Sequence, residues 1–165
     1  MTLGIALVYL GAALAAGLGG IGSAIGVGLA GREGAGVMSE DPDKFGKLIL
    51  LVALPGTQGI YGLLGFFMAT AKLGPLADVL KTGDATSTAI GLSVMMACLP
   101  VALTCMISGI HQGKVCAGGV AMAAKRPEAV GKALIFGALV ETYAVLGLIA
   151  TILAFNGIQA PAAAG

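Results

Sequence analysis

Residues 134–155 read LIFGALVETYAVLGLIATILAF, and Glu141 is the one charged side chain among them. A run of that length and apolarity can cross a bilayer as a helix. Irregular backbone exposed to lipid could not, because every backbone polar group there must be satisfied internally. An ionised carboxylate near the bilayer centre costs about 2.5–3.5 kcal/mol on insertion scales. No basic residue lies nearby in sequence to pair with it. The segment therefore predicts a membrane helix and marks Glu141 as a functional residue that must be neutralised.

The remaining sequence follows the same pattern. It is 58% hydrophobic and only 10% charged over 165 residues, which places the chain among integral membrane proteins. Its 28 glycines and lack of tryptophan suit closely packed helices. A net charge of +1 offers nothing to nucleic acid or to an acidic partner. Cys98, Cys105 and Cys116 fit neither zinc-ligand nor redox spacing and read as small buried apolar residues. The first twenty residues have no basic stretch ahead of their apolar run, so they are expected to begin a retained helix rather than a signal peptide.

Four helices are expected, over about residues 3–38, 45–71, 88–123 and 129–155. Polar turns at 39–44 and 125–128 punctuate the first and second pairs, with Pro42 and Pro127 as breakers. The pattern predicts a first hairpin over 1–72, an extracytoplasmic connection over 73–87, a second hairpin over 88–155 and a frayed Ala/Pro/Gly-rich tail over 156–165. Two GxGxxG matches, at 17–22 and 26–31, follow no strand and so do not read as dinucleotide sites. They read as small-xxx-small packing instead: Gly22 with Gly26, Ala24 with Gly28, Ala30 with Gly34. Arg32, Lys44 and Lys47 flank the first turn, and Lys114, Lys125, Arg126 and Lys132 flank the third, whereas only Lys72 and Lys81 border the middle connection. By the positive-inside rule the first and third turns face the cytoplasm and both termini face out.

The chain is duplicated. Shifted by 85 positions, Pro42 meets Pro127, Gly46-Lys47 meets Gly131-Lys132, Ala53-Leu54 meets Ala138-Leu139, and Thr57 meets Thr142. Ser23, Ile25, Gly28 and Gly34 meet Ser108, Ile110, Gly113 and Gly119 in the same register. Two helical hairpins of one ancestry explain this. Glu141 falls on Gly56 and Gln112 on Val27, so one site per four helices is expected.

Gln112 and Glu141 each lie 14.5 residues from the middle of the third turn, about 22 Å along their helices. Both are thus expected near mid-membrane. On the second helix Leu54, Thr57, Gln58 and Tyr61 share one face by their i, i+3, i+4, i+7 spacing, at a similar depth. Pro55 removes an N–H from the same stretch and loosens the backbone. A carboxylate, two amides, a hydroxyl, a phenol and a main-chain carbonyl are oxygen donors suited to a hard cation. One Na⁺ or one proton would cancel the single negative charge; a divalent ion would leave a net positive charge in lipid. Mid-helix Gln and Thr also serve as interhelical glue, at about 0.6 kcal/mol each. His111 points about 100° away from Gln112 and reads as a packed neutral imidazole, and Lys114 is expected to snorkel.

The stretches LPGTQGIYG from Leu54, SGIHQGK from Ser108 and VETYA from Val140, with the turn Lys125-Arg-Pro-Glu128, carry a resemblance. The chain resembles the four-helix proteolipid, of the K or c type, of the membrane rotor of V-type rotary ATPases, particularly bacterial sodium-pumping ones. The resemblance implies a homo-oligomeric ring in the plasma membrane, in contact with lipid. The ring would turn against a stator subunit that bears an arginine and would meet central-stalk subunits at its cytoplasmic turns. It implies Na⁺ held by Glu141, Gln112, Gln58, Thr57 and the Leu54 carbonyl, with Tyr61 bonding the carboxylate and holding the site shut. It also implies a non-catalytic chain, nucleotide hydrolysis belonging to other subunits. A proton in place of Na⁺ is the alternative. A four-helix proton-coupled exporter is a more distant one, for which the lack of Trp and the 85-residue duplication are poor fits.

Overall fold

The computed structural model describes residues 1–159, and the part of the expected frayed tail from 160 to 165 lies outside them. Five of the six α-helices among the described residues make four rods: α1 (Leu3–Glu40), α2 (Phe45–Ala53) continued by α3 (Thr57–Ala71), α5 (Ala85–Lys125), and α6 (Val130–Asn156). A short α4 (Ala77–Thr82) stands in the connection between the hairpins. Each rod is long and apolar enough to cross a membrane. Among the described residues there is no strand. The protein is an all-α integral membrane protein.

The rods differ in length. The first and third are 38 and 41 residues, whereas the spans Pro42–Ala71 and Pro127–Asn156 are 30 residues each. Their starts and stops follow ordinary chemistry. Thr2 caps α1 by accepting the Ile5 N–H, and its hydroxyl donates to the Leu80 carbonyl at 2.6 Å. Asp84 caps α5 by accepting the Ser87 N–H at 2.8 Å, after Gly83 turns the chain at φ 73°. Pro42 and Pro127 each open a short 3₁₀ turn, where a missing N–H costs nothing.

Two differences from the sequence reading arise at the connections. The polar stretch 73–87 carries α4, and α5 begins three residues before the expected start because Asp84 supplies a cap. At the far end, Asn156 still belongs to α6, and the Gly157 N–H bonds back to the Ala154 carbonyl at 3.2 Å.

The long rods α1 and α5 pack along their glycines. A side chain on Gly22 would lie 2.6 Å from the Met106 Cα, and one on Gly109 would lie 2.7 Å from the Gly22 carbonyl carbon. Such close backbones are how helices adhere in lipid, where dispersion replaces the hydrophobic drive. Of the expected small pairs, Gly22/Gly26 and Ala30/Gly34 are buried within the chain, whereas Ala24 and Gly28 are exposed. The three cysteines are free and buried, as their sequence context implied.

Candidate functional site

The site forms where the two hairpins meet. Pro55 breaks the second rod into α2, a 3₁₀ turn (Leu54–Gly56) and α3. The cause is the absent N–H and the ring's clash with the preceding turn. The Thr57 N–H bonds the Leu54 carbonyl within this tightened turn. The Thr57 Oγ1 proton is shared between the same carbonyl at 3.1 Å and Gln58 Oε1 at 3.4 Å. Disturbed backbone is tolerable at this depth because a neighbouring helix repairs it: the Gly59 N–H donates to Ser23 Oγ on α1 at 2.7 Å.

Gln58 and Gln112 are both fully buried, and the Gln58 Nε2 donates to Gln112 Oε1. Gln112 Nε2 donates onward to the Gly137 carbonyl of α6 at 3.0 Å. Because that carbonyl can only accept, it fixes which end of the Gln112 amide is oxygen. Glu141 follows Gly137 by one turn on α6, and its Oε1 accepts the Tyr61 hydroxyl at 2.7 Å. The distance is that of a strong O–H to carboxylate bond.

The six residues singled out from sequence therefore converge as two linked sets. One is the carboxylate with its phenol, Glu141 and Tyr61. The other is an amide chain from the Leu54 carbonyl through Thr57, Gln58 and Gln112 to Gly137. Among the described residues no hydrogen bond joins Glu141 directly to the amide chain, and none of the ion pairs includes it, Lys44–Asp41 at 3.2 Å being the one present. Glu141 is half-buried and lines a shallow recess with Ala138, Thr142, Val145 and Leu146.

Sequence reasoning missed Gly137 and Ser23. Gly137 sits one turn before the carboxylate, and a side chain there would fall 2.6 Å from Leu54 Cδ2 and 3.2 Å from Cys116 Sγ. Its bare backbone is what lets Gln112 reach the carbonyl. The signal available was a glycine four residues before Glu141 on an otherwise bulky helix. His111 differs from its expectation: it is exposed, at the rim of an apolar groove of about 410 Å³ shared with Leu103, Ile107, Ser108 and Tyr143. It turns aside from Gln112 because it is one residue, about 100°, round the helix.

Two duplicated membrane hairpins, with a single mid-span carboxylate where they meet, define the class: a small membrane proteolipid. Each hairpin separately matches the family of the C subunit of ATP synthase, over residues 10–69 and 95–154. The V-type sodium ATPase subunit K of Enterococcus hirae is 44% identical over 134 residues, spanning 81% of this chain and 80% of that protein. The A-type ATP synthase subunit K of Methanocaldococcus jannaschii is 40% identical over 149 residues, spanning 90% of this chain and 61% of that longer protein. The chain belongs to the ATP synthase C-subunit family.

Proposed function

We propose that this chain is a rotor-ring subunit of a V- or A-type rotary ATPase and that Glu141 carries one Na⁺ at a time across the membrane. The observation that carries this reading is the Tyr61 to Glu141 bond of 2.7 Å beside a row of buried oxygen donors. A carboxylate closed by a phenol and flanked by Gln58 Oε1, Gln112 Oε1, Thr57 Oγ1 and the Leu54 carbonyl offers a hard cation the ligands it prefers. The similarity to a sodium ATPase subunit K supports the choice of ion.

The mechanism is electrostatic. With Na⁺ bound, the site is neutral and can pass through lipid. Without it, the bare carboxylate meets an insertion penalty of about 2.5–3.5 kcal/mol or more. Only where a stator arginine and aqueous access replace the ion can the carboxylate release it, and this condition couples rotation to transport. In this reading identical copies form a ring in the plasma membrane, central-stalk subunits bind its cytoplasmic turns, and nucleotide hydrolysis takes place in other subunits. The excess of Lys and Arg at the first and third turns puts those turns in the cytoplasm and both termini outside.

The proton is the second reading. It draws on the Gln58–Gln112 and Tyr61–Glu141 hydrogen bonds, a network that a protonated Glu141 can also keep. Labelling of Glu141 by a hydrophobic carbodiimide, at fixed pH with and without Na⁺, distinguishes the two. Protection by millimolar Na⁺ is the expected result; labelling indifferent to Na⁺ would replace it with the proton.

A further inference from the structure

Gln112 and Gly137 are held differently from the other donors of the site. Leu54, Thr57 and Gln58 follow one another on a single rod, whereas Gln112 reaches from α5 to the backbone of α6. The Gly137 carbonyl lies one turn before Glu141 in the continuous α6, where the i to i−4 bond gives it the Glu141 N–H. A carbonyl oxygen has two lone pairs, and the second accepts Gln112 Nε2 at 3.0 Å. Gln112 is thus tied to the same backbone group as the carboxylate's own residue. The duplication sets this pair apart. Subtracting 85 from Gln112 and Gly137 gives Val27 and Val52. The hairpin that lacks the carboxylate lacks the amide and the glycine together.

We infer that Gly137 is a positioning residue for the cation: its carbonyl holds Gln112 Nε2 and so keeps Gln112 Oε1 turned toward Gln58 as a fixed oxygen ligand. A free amide can offer an ion either its oxygen or its N–H groups, and only the oxygen attracts a cation. Tying down the nitrogen removes the wrong orientation before the ion arrives, so the ion does not bear the cost of ordering that side chain. Gln58 has no such anchor. Among the described residues its Nε2 donates to Gln112 Oε1 alone, and its Oε1 receives a Thr57 hydroxyl shared with the Leu54 carbonyl, at 3.4 Å. Gln112 is therefore the rigid ligand, and Gln58 is the one that adjusts when an ion enters. This rests on the reading of Glu141, Gln58 and Gln112 as a Na⁺ site and adds what orients it.

Full-length protein is reconstituted in lipid for the test. In Gly137→Ala the new Cβ would press on Leu54 Cδ2 and Cys116 Sγ and move α6 off Gln112. The Na⁺ concentration that half-protects Glu141 from carbodiimide is expected to rise about 2- to 12-fold, the worth of one neutral hydrogen bond. Solid-state NMR of protein labelled with ¹⁵N-glutamine reads the cause, because the chain has three glutamines, Gln58, Gln112 and Gln159. The signal lost in Gln58→Ala or in Gln112→Ala assigns each side chain. In unmodified protein Na⁺ is expected to shift the Gln58 side-chain signal and leave that of Gln112 in place; in Gly137→Ala both should shift. The unmodified protein still decides the matter if Gly137→Ala does not fold. A Gln112 signal that moves with Na⁺ as far as that of Gln58, glutamine signals that ignore Na⁺ while labelling responds to it, or unchanged Na⁺ protection in Gly137→Ala overturns this inference and leaves the Na⁺ reading standing. Labelling and glutamine signals both indifferent to Na⁺ in unmodified protein overturn both.

Discussion

The two hairpins share an ancestor yet treat their outer rods in opposite ways. In the first, Pro55 breaks the rod, and the hydroxyl of Ser23 takes up the Gly59 N–H that the break releases. In the second, Val140 and Ala144 stand at the matching places, and α6 runs unbroken for 27 residues. Its counterpart hydroxyl, Ser108 Oγ, is buried without a hydrogen-bond partner. The second hairpin instead has a proline on its long rod. Pro100 lies inside the continuous α5, and the Val101 N–H goes to Thr151 Oγ1 of α6 at 3.1 Å. The broken helix supplies neutral oxygen donors and the unbroken helix supplies the charge. Duplication freed each copy to specialise, and the site lies on the seam between them.

The largest effect expected from exchanging the hairpins' roles concerns the carboxylate. Glu141→Gln should reduce Na⁺-coupled transport to background. Adding Gly56→Glu to it should not restore transport, although a side chain at Gly56 meets only Val27 Cγ2 at 3.8 Å. The transplanted carboxylate would lie beside Val27, and the positions that correspond to Tyr61 and Gln112 in the duplicated register are the apolar Leu146 and Val27. Recovery of transport in reconstituted vesicles would show that the hairpins are interchangeable and dissolve the comparison.

Next in size is Tyr61→Phe. A hydrogen bond to a charged group contributes about 1.5–3 kcal/mol. The Na⁺ concentration that half-protects Glu141 from carbodiimide is therefore expected to rise about 10- to 100-fold. Leu146→Ala, at the matching place in the second hairpin, should leave that concentration unchanged.

The paired serines give a smaller but sharper contrast. Ser23→Ala strands the Gly59 N–H and should cost about 1–3 kcal/mol of stability. Ser108→Ala removes an unpartnered buried hydroxyl and should be neutral or stabilising. Thermal unfolding of both variants in detergent is the measurement, and equal losses would refute the account of the two hydroxyls.

The smallest effect lies at the helix caps. Thr2 caps α1 with a neutral hydroxyl, whereas the exposed Asp84 caps α5 with a carboxylate. Bonds from the Ser87 N–H first, and then from the Thr82 hydroxyl, hold the Asp84 carboxyl below its usual range. A depressed acid stabilises the fold above its unfolded pKa of about 3.9 and loses that contribution as pH falls through the lower folded value. Asp84→Asn should leave the thermal midpoint near neutral pH almost unchanged and slightly flatten its decline below pH 4.

Much of this was legible beforehand because membrane chains obey strong rules. Length and apolarity marked the four rods, the 85-residue register gave the two hairpins, and turn-to-residue counting put Gln112 level with Glu141. What the sequence did not disclose was local satisfaction of polar groups. Pro55 announced a loosened backbone, but Ser23 as its repair depends on helix rotation that periodicity does not give. Gln112 was expected beside the carboxylate, yet its Nε2 is committed to Gly137, because a glycine leaves a carbonyl bare in a way no side-chain pattern records. The exposure of His111 was missed because spacing gives the angle between neighbouring side chains and not what stands opposite each of them.

The long rods are the remaining point. At 1.5 Å per residue, α1 and α5 reach about 57 and 62 Å, some 15 Å beyond a bilayer of about 40–45 Å with its headgroups. At the end bearing the first and third turns, Lys44 Nζ on one hairpin clasps the Ala124 carbonyl on the other at 3.0 Å. The overhang is thus a stiff handle. A torque applied there is borne by continuous helix as far as Gln112, with no hinge of loop in between.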